Sequence, residues 1–122
     1  MGNAINWFEI PAANFDRAVK FYSTVFNCDM PTQDVDDGKI AFFPAEGQGV
    51  GGCVKYGGNQ PSDTGTLAYL NTGNTLDEHL DRVKAAGGEI VLPKTKVSDE
   101  IGYIAYILDS EGNRVAFHSP MA

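Results

Sequence analysis

The sequence predicts an α+β fold in which two βαβββ repeats form an eight-stranded curved sheet, an open barrel around a concave cup, with the helices outside. Three observations predict it. Gly38-Lys39-Ile40-Ala41-Phe42-Phe43 answers Gly102-Tyr103-Ile104-Ala105-Tyr106-Ile107, and Glu46-Gly47 with Val50 answers Glu111-Gly112 with Val115 once one residue is inserted. Self-similarity of this kind takes precedence over residue-level signals. Upstream, Trp7 to Asn27 has a weaker counterpart in Thr66 to Gly87, each an apolar stretch, a polar break holding Asn14 or Asn74, a helical pattern and a turn. Finally, a four-stranded sheet with one helix buries a single face, so two such units paired edge to edge leave a concave face to enclose something.

The elements follow in order. Asn6 to Ile10 has the character of a strand, which Pro11 and the following Ala-Ala-Asn end. Ala18, Val19, Phe21, Tyr22, Val25 and Phe26 then recur at three- and four-residue steps, behind Asn14 as N-cap with Asp16 in the first turn. Short apolar stretches at 28–34, 39–44 and 49–56 complete the first unit. The polar, turn-rich tract 59–65 is the linker between repeat one, 3–58, and repeat two, 66–120, within a single domain spanning 1–122. In the second unit Leu76, Leu80 and Val83 make the helical stripe, Thr75 and Glu78 form a capping-box pair, and Gly87 supplies a left-handed C-terminal residue. His79, beside charged neighbours, is expected to face solvent. Strands at 89–95, 102–108 and 113–119 close the chain.

At 122 residues the chain buries about two-thirds of its unfolded surface and folds without staples. Hydrophobic residues at 43% and charged residues at 20% are ordinary values, which argues against disorder. No apolar run approaches the ~18 residues of a membrane span, and Met1-Gly2-Asn3-Ala4 does not read as a leader. Cys28 and Cys53 do not make a disulfide framework, so a reduced, cytoplasmic setting is expected. The formal charge of −7 repels a phosphate backbone and speaks against nucleic acid. The same field attracts cationic small molecules, or serves solubility alone.

Trp7-Phe8-Glu9-Ile10-Pro11, Arg17-Ala18, Phe21-Tyr22 and Asp109-Ser110-Glu111-Gly112-Asn113-Arg114-Val115, set in two βαβββ units, resemble the vicinal oxygen chelate superfamily of glyoxalases, bleomycin-resistance proteins and dioxygenases. The likeness covers nearly the whole chain. It implies a small-molecule substrate or ligand and a homodimer, a pairing that in this superfamily sometimes completes each site across the interface. It leaves the reaction open, because the superfamily includes isomerases of glutathione hemithioacetals, extradiol dioxygenases, epimerases, thiol transferases that inactivate fosfomycin, and proteins that sequester drugs. It also implies metal ligands, a His in the first strand of each copy and a Glu in the last, and those positions fall on Trp7, Thr66 and Ala116. A metal needs at least three oxygen or imidazole donors converging at about 2.0–2.2 Å. No metal and no other cofactor is therefore expected.

If Trp7 and Ala116 face the cup, alternation puts Glu9 and His118 there too and sends Phe8, Ile10, Val115 and Phe117 under the helices. Glu9 and His118 are the candidate catalytic pair. Partial burial raises a Glu pKa and the carboxylate sustains an imidazolium, which suits a metal-independent isomerase or lyase. Alternatively, the two hydrogen-bond each other or nearby backbone and seal the junction of the first and last strands. The repeat places Cys53 where the second copy has His118, and Trp7, Cys53, Thr66, Ala68 and Tyr103 are the candidate ligand wall. A zinc site from Glu9, Cys53 and His118 has no motif spacing behind it, and nothing local depresses the Cys53 pKa for nucleophilic work. The glycines at 47–52 fall in a hairpin rather than a phosphate loop and permit a tight turn or close backbone approach. Lys94 and Lys96 either meet an anion at the rim or form a solvated pair. Two functions stay open: a glyoxalase-like isomerase or lyase, and non-enzymatic sequestration of a cationic or aromatic drug-like ligand.

Overall fold

A computed structural model of the chain describes residues 2–120. The elements are β1 (Trp7–Ala12), α1 (Phe15–Phe26), β2 (Thr32–Val35), β3 (Gly38–Phe42) and β4 (Gly51–Tyr56), then β5 (Tyr69–Asn71), α2 (Leu76–Val83), β6 (Glu89–Ser98), β7 (Gly102–Leu108) and β8 (Arg114–Ser119). This is the expected α+β pattern of two βαβββ units. Their eight strands hydrogen-bond as two mixed sheets of four, ordered β1-β4-β3-β2 and β5-β8-β7-β6. In each sheet the opening strand runs parallel to the closing one, and the remaining pairs are antiparallel. β1 and β5 therefore each keep one unpaired edge.

The apolar stripes of both helices meet one shared core. Phe21, Tyr22 and Val25 from α1 and Leu76 and Val83 from α2 pack with Ile10, Val54, Ile107 and Phe117 from the sheets. Burying each large side chain contributes about 1.5–3 kcal/mol, so the two repeats stand or fall together. Phe8 packs against this core and Val115 and Phe117 are buried in it, as alternation predicts.

Helix α1 begins as its sequence indicates, with the Asn14 side chain accepting the Arg17 N–H at 3.0 Å. It ends on Asn27 in the left-handed region, φ 49°. Helix α2 departs from expectation at its start. Thr75 makes no side-chain cap bond, and its hydroxyl donates to the Thr72 carbonyl instead, so the capping box with Glu78 does not form. At the far end Gly87 is left-handed, φ 104°, and the Gly88 N–H closes on the Val83 carbonyl. His79 is buried rather than exposed. Its ring packs edge-on against Phe26 and Phe117, and Nδ1 lies 2.8 Å from the Thr75 carbonyl oxygen. Position 79 falls three residues after Leu76 and four before Val83, which is the buried stripe itself.

Strand register corrects the internal alignment. Ala41 pairs with Val54 in the first sheet and its counterpart Ala105 pairs with Phe117 in the second, so Cys53 corresponds to Ala116 and Lys55 to His118. The connection from β3 to β4 is longer than that from β7 to β8, and the extra residues shift every position after it. On the opening strands Glu9 lies opposite Cys53 and Tyr69 opposite Ala116, which makes Tyr69 the counterpart of Glu9 and Leu67 the counterpart of Trp7.

Candidate functional site

Each sheet turns one face to the core and one concave face away from it. On the first sheet that outer face carries Trp7 and Glu9 from β1, Phe42 from β3, and Gly51, Cys53 and Lys55 from β4. Trp7 meets Phe42 edge-on with ring centroids 6.1 Å apart, and its indole lies over Gly51, where a Cβ would stand 3.4 Å from the ring. Gly52, one residue on, faces the other way and lies under the Phe8 ring, so this glycine pair serves close approach on both sides of the sheet.

Cys53 is fully buried between these side chains. Burial, and then the Glu9 carboxylate beside it, push its thiol up to about 11, against the smaller opposing pull of Lys55 and Trp7. A thiol held protonated in this way is a packing group rather than a nucleophile. Lys55 turns its ammonium to Asp37 at 3.1 Å. The Glu9 carboxylate is exposed and accepts no hydrogen bond from any described residue.

The second concave face is built from Tyr69 on β5, Tyr106 on β7, and Arg114, Ala116 and His118 on β8. The Tyr69 and Tyr106 hydroxyls are 3.3 Å apart, and the Arg114 guanidinium lies 4.8 Å from the Tyr106 ring centroid. His118 donates from Nε2 to the Ile101 carbonyl at 2.6 Å.

Several expected site residues lie elsewhere. Glu9 and His118 sit on different sheets and do not hydrogen-bond, because β1 pairs with β4 and β5 pairs with β8. His118 is engaged with backbone, as the alternative reading had it, but it seals no junction with β1. Thr66 is exposed in the linker ahead of β5. Ala68 shares the parity of core-facing Leu70, lines a cavity between the sheets, and accepts the Ala116 N–H through its carbonyl. Tyr103 packs against the core on the helix side, with Lys94 4.9 Å from its ring centroid. Trp7 and Cys53 do line the first concave face. Lys94 and Lys96 are paired with Asp77 and Asp99. Tyr69 is the concave-face residue that the sequence reading missed, because the shifted alignment hid its place opposite Ala116.

The cavity between the sheets has a volume of about 600 Å³ and is lined by Phe8, Phe26, Phe43, Val50, Leu67 and Leu70 among others.

Two acidic residues of the β7–β8 turn tie the halves together. Glu111, its side chain fully covered, accepts the N–H groups of Ala13 and Asn14 at 2.9 and 2.6 Å and the Arg17 Nε at 2.6 Å. Burial pushes its carboxyl up, but the bonds from Arg17, Asn14 and Ser110 outweigh that and leave it lowered. Asp109 accepts the Tyr22 hydroxyl at 2.6 Å, and the Asn113 side chain donates to the Pro11 carbonyl at 2.7 Å.

This architecture has known counterparts. The profile of the Glyoxalase/Bleomycin resistance protein/Dioxygenase superfamily matches residues 4–117. The chain belongs to this superfamily.

Among solved structures, a glyoxalase/bleomycin resistance protein from Albidiferax ferrireducens is similar at TM-score 0.70 and 16% identity, with 96% of this chain and 99% of that one covered. The fosfomycin resistance protein FosX of Listeria monocytogenes is similar at TM-score 0.69 and 18% identity, over 97% of this chain and 91% of that one. A glyoxalase I mutant from Zea mays gives TM-score 0.70 and 20% identity over 93% of this chain, which spans 45% of the maize chain. No curated protein matches the chain. Identities this low speak to the fold and not to the reaction.

The positions that the resemblance assigns to metal ligands carry Trp7, Thr66 and Ala116, and register makes Leu67 rather than Thr66 the counterpart of Trp7. None of these side chains is an ordinary metal donor. Among the described residues no group of three or more His, Cys, Asp or Glu side chains converges to hold an ion, so Glu9, Cys53 and His118 do not form a displaced site. The donor set does not fit the superfamily's metal, and no step here is routed through one.

Proposed function

We propose that this superfamily member binds a cationic, aromatic small molecule on the concave face around Trp7 and Glu9 without transforming it. One observation carries the reading: the exposed Glu9 carboxylate, which accepts no hydrogen bond from a described residue, shares its sheet face with the edge-on Trp7 and Phe42 rings. An aromatic wall with a free carboxylate is complementary to a delocalised cation, through ring quadrupole and charge together. The formal charge of −7 adds a long-range pull on such ligands. His118, bonded to the Ile101 carbonyl and remote in the hydrogen-bond network from Glu9, does not act as its acid–base partner within one chain.

The face is completed by a homodimer. β1 and β5 each leave an edge unpaired, and Trp7 and Tyr69 remain 43% and 50% exposed, a large apolar exposure beside free strand edges. A two-fold pairing that sets the first sheet of one copy beside the second sheet of its partner encloses a ligand between them. The isomerase or lyase reading requires that same arrangement, with Glu9 meeting the partner's His118.

Because Trp7 is the chain's one tryptophan, its fluorescence reports this face directly. Saturable quenching by N-methylquinolinium is expected, with Kd about tenfold weaker in Glu9→Gln and unchanged in His118→Ala. An unchanged Kd in Glu9→Gln overturns the reading. Turnover of a glutathione hemithioacetal that both Glu9→Gln and His118→Ala abolish, at preserved affinity, returns the chain to the isomerases.

A further inference from the structure

The second concave face holds a charge that cationic-ligand binding does not use. Arg17 pairs with Glu111, and Arg82 donates to the Val25 carbonyl. Among the described residues, Arg114 is the arginine whose guanidinium donates to no protein group; it sits over the Tyr106 ring instead, 4.8 Å from its centroid. Its N–H donors are left for a ligand, and a guanidinium fork matches a carboxylate bidentately.

The guanidinium opens into a built recess. A pocket of about 340 Å³ is lined by Asp63, Thr64, Gly65, Thr66, Tyr106 and Arg114. Its outer wall is the linker, pinned to β8 by two bonds at Ser62: the Ser62 N–H donates to the Asn113 side chain at 3.0 Å, and the Ser62 carbonyl accepts the Arg114 N–H at 3.3 Å. The Ser62 hydroxyl in turn holds the Thr64 N–H at 3.1 Å, so the linker arches over the strand in a fixed shape. Gly65 at φ 93° has open space where a Cβ would stand, and the exposed Thr66 hydroxyl bonds to no described residue. The half-exposed Tyr69 ring adjoins Tyr106 at 6.4 Å.

We infer that this pocket binds a small monocarboxylate, its carboxyl on the guanidinium of Arg114 and its apolar part against Leu67 and the Tyr106 ring. Asp63 in the same wall selects for a single negative charge, because a phosphate dianion meets twice the repulsion from it. A volume of about 340 Å³ lies at the small end of ligand pockets and admits a molecule of arylcarboxylate size. Within one chain the pocket lies apart from Glu9, which sits on the other sheet.

The test is an NMR titration of the full chain with benzoate, benzamide and phenyl phosphate, following the Gly65 amide and the Arg114 Nε–H. Benzoate is expected to shift both resonances saturably. Benzamide, lacking the charge, and phenyl phosphate, carrying two, are expected to bind at least tenfold more weakly. Arg114→Gln is expected to weaken benzoate at least tenfold, and Arg114→Lys to fall between. Arg114 is exposed, so these variants fold, and an unchanged Tm checks it. Equal binding of benzoate and benzamide, no saturable shift, or undiminished binding in Arg114→Gln overturns the site; tighter binding of phenyl phosphate overturns its preference for one charge.

Discussion

Glu111 is the polar side chain on which the contact between the repeats depends most. Its covered carboxylate gathers two backbone N–H groups and the Arg17 guanidinium, whereas Arg17 is half exposed. Glu111→Ala removes one charged acceptor shared by three donors, whereas Arg17→Ala removes a single half-exposed partner. Glu111→Ala is therefore expected to cost about 1.5–3 kcal/mol in urea unfolding and Arg17→Ala about 1 kcal/mol or less. Because Glu111 is lowered in the folded state, its stabilisation is complete above its ordinary value of 4.5 and is lost as pH falls through the lowered one. His79 gives a second pH signature. Burial, ahead of the smaller pull of Arg82, lowers it from 6.5, and the Thr75 carbonyl and Glu78 oppose this only in part. The unfolded chain thus binds a proton first, and stability falls as pH drops below 6.5. Tm measured against pH is expected to decline across that window in the wild type and less in His79→Phe. Neither residue was legible as such: the charged neighbours of His79 masked its helical position, and nothing local links Glu111 to a helix N-terminus far away in sequence.

At the scale of elements, periodicity carried the information well. The stripes of α1 and α2 and the alternation in β1 and β8 place Phe21, Val83, Ile10 and Phe117 in the core as read. Register was not legible, because matching Glu46-Gly47 to Glu111-Gly112 equates two connections of different length. That mismatch gave Cys53 the wrong counterpart, and aligning the first strands through helices of different length put Thr66 and Ala68 where Leu67 and Tyr69 stand, while Tyr103 was assigned to the wrong face. Strand β4 offers a direct check of the packing. A Cβ at Gly52 would stand 2.3 Å from the Phe8 ring, so Gly52→Ala forces the ring to move and is expected to cost about 1–3 kcal/mol. Phe8→Leu in the same chain is expected to recover part of that loss in denaturant unfolding, since the smaller side chain yields the space.

For the whole molecule, the two sheets share one core yet leave β1 and β5 open, so the fold is complete while its concave faces stay half-enclosed. Sedimentation equilibrium is expected to return twice the chain mass, with Trp7 fluorescence shifting to the red on dilution as the indole meets water. A monomer at all concentrations refutes the pairing. The clamp between the repeats is also one-sided. Glu111 of the second repeat finishes the start of α1, but its sequence counterpart Glu46 is exposed and does not reach α2, whose Thr75 is uncapped. During synthesis this has a direction. Helix α1, at 12 residues too short to persist alone, waits for its carboxylate until Glu111, 97 residues after Asn14, has been made. A nascent chain stalled before Asp109 already holds Ile10 and Val54 to pack on Phe21 and Val25, but it lacks Val115, Phe117 and the clamp that fixes the start of the helix.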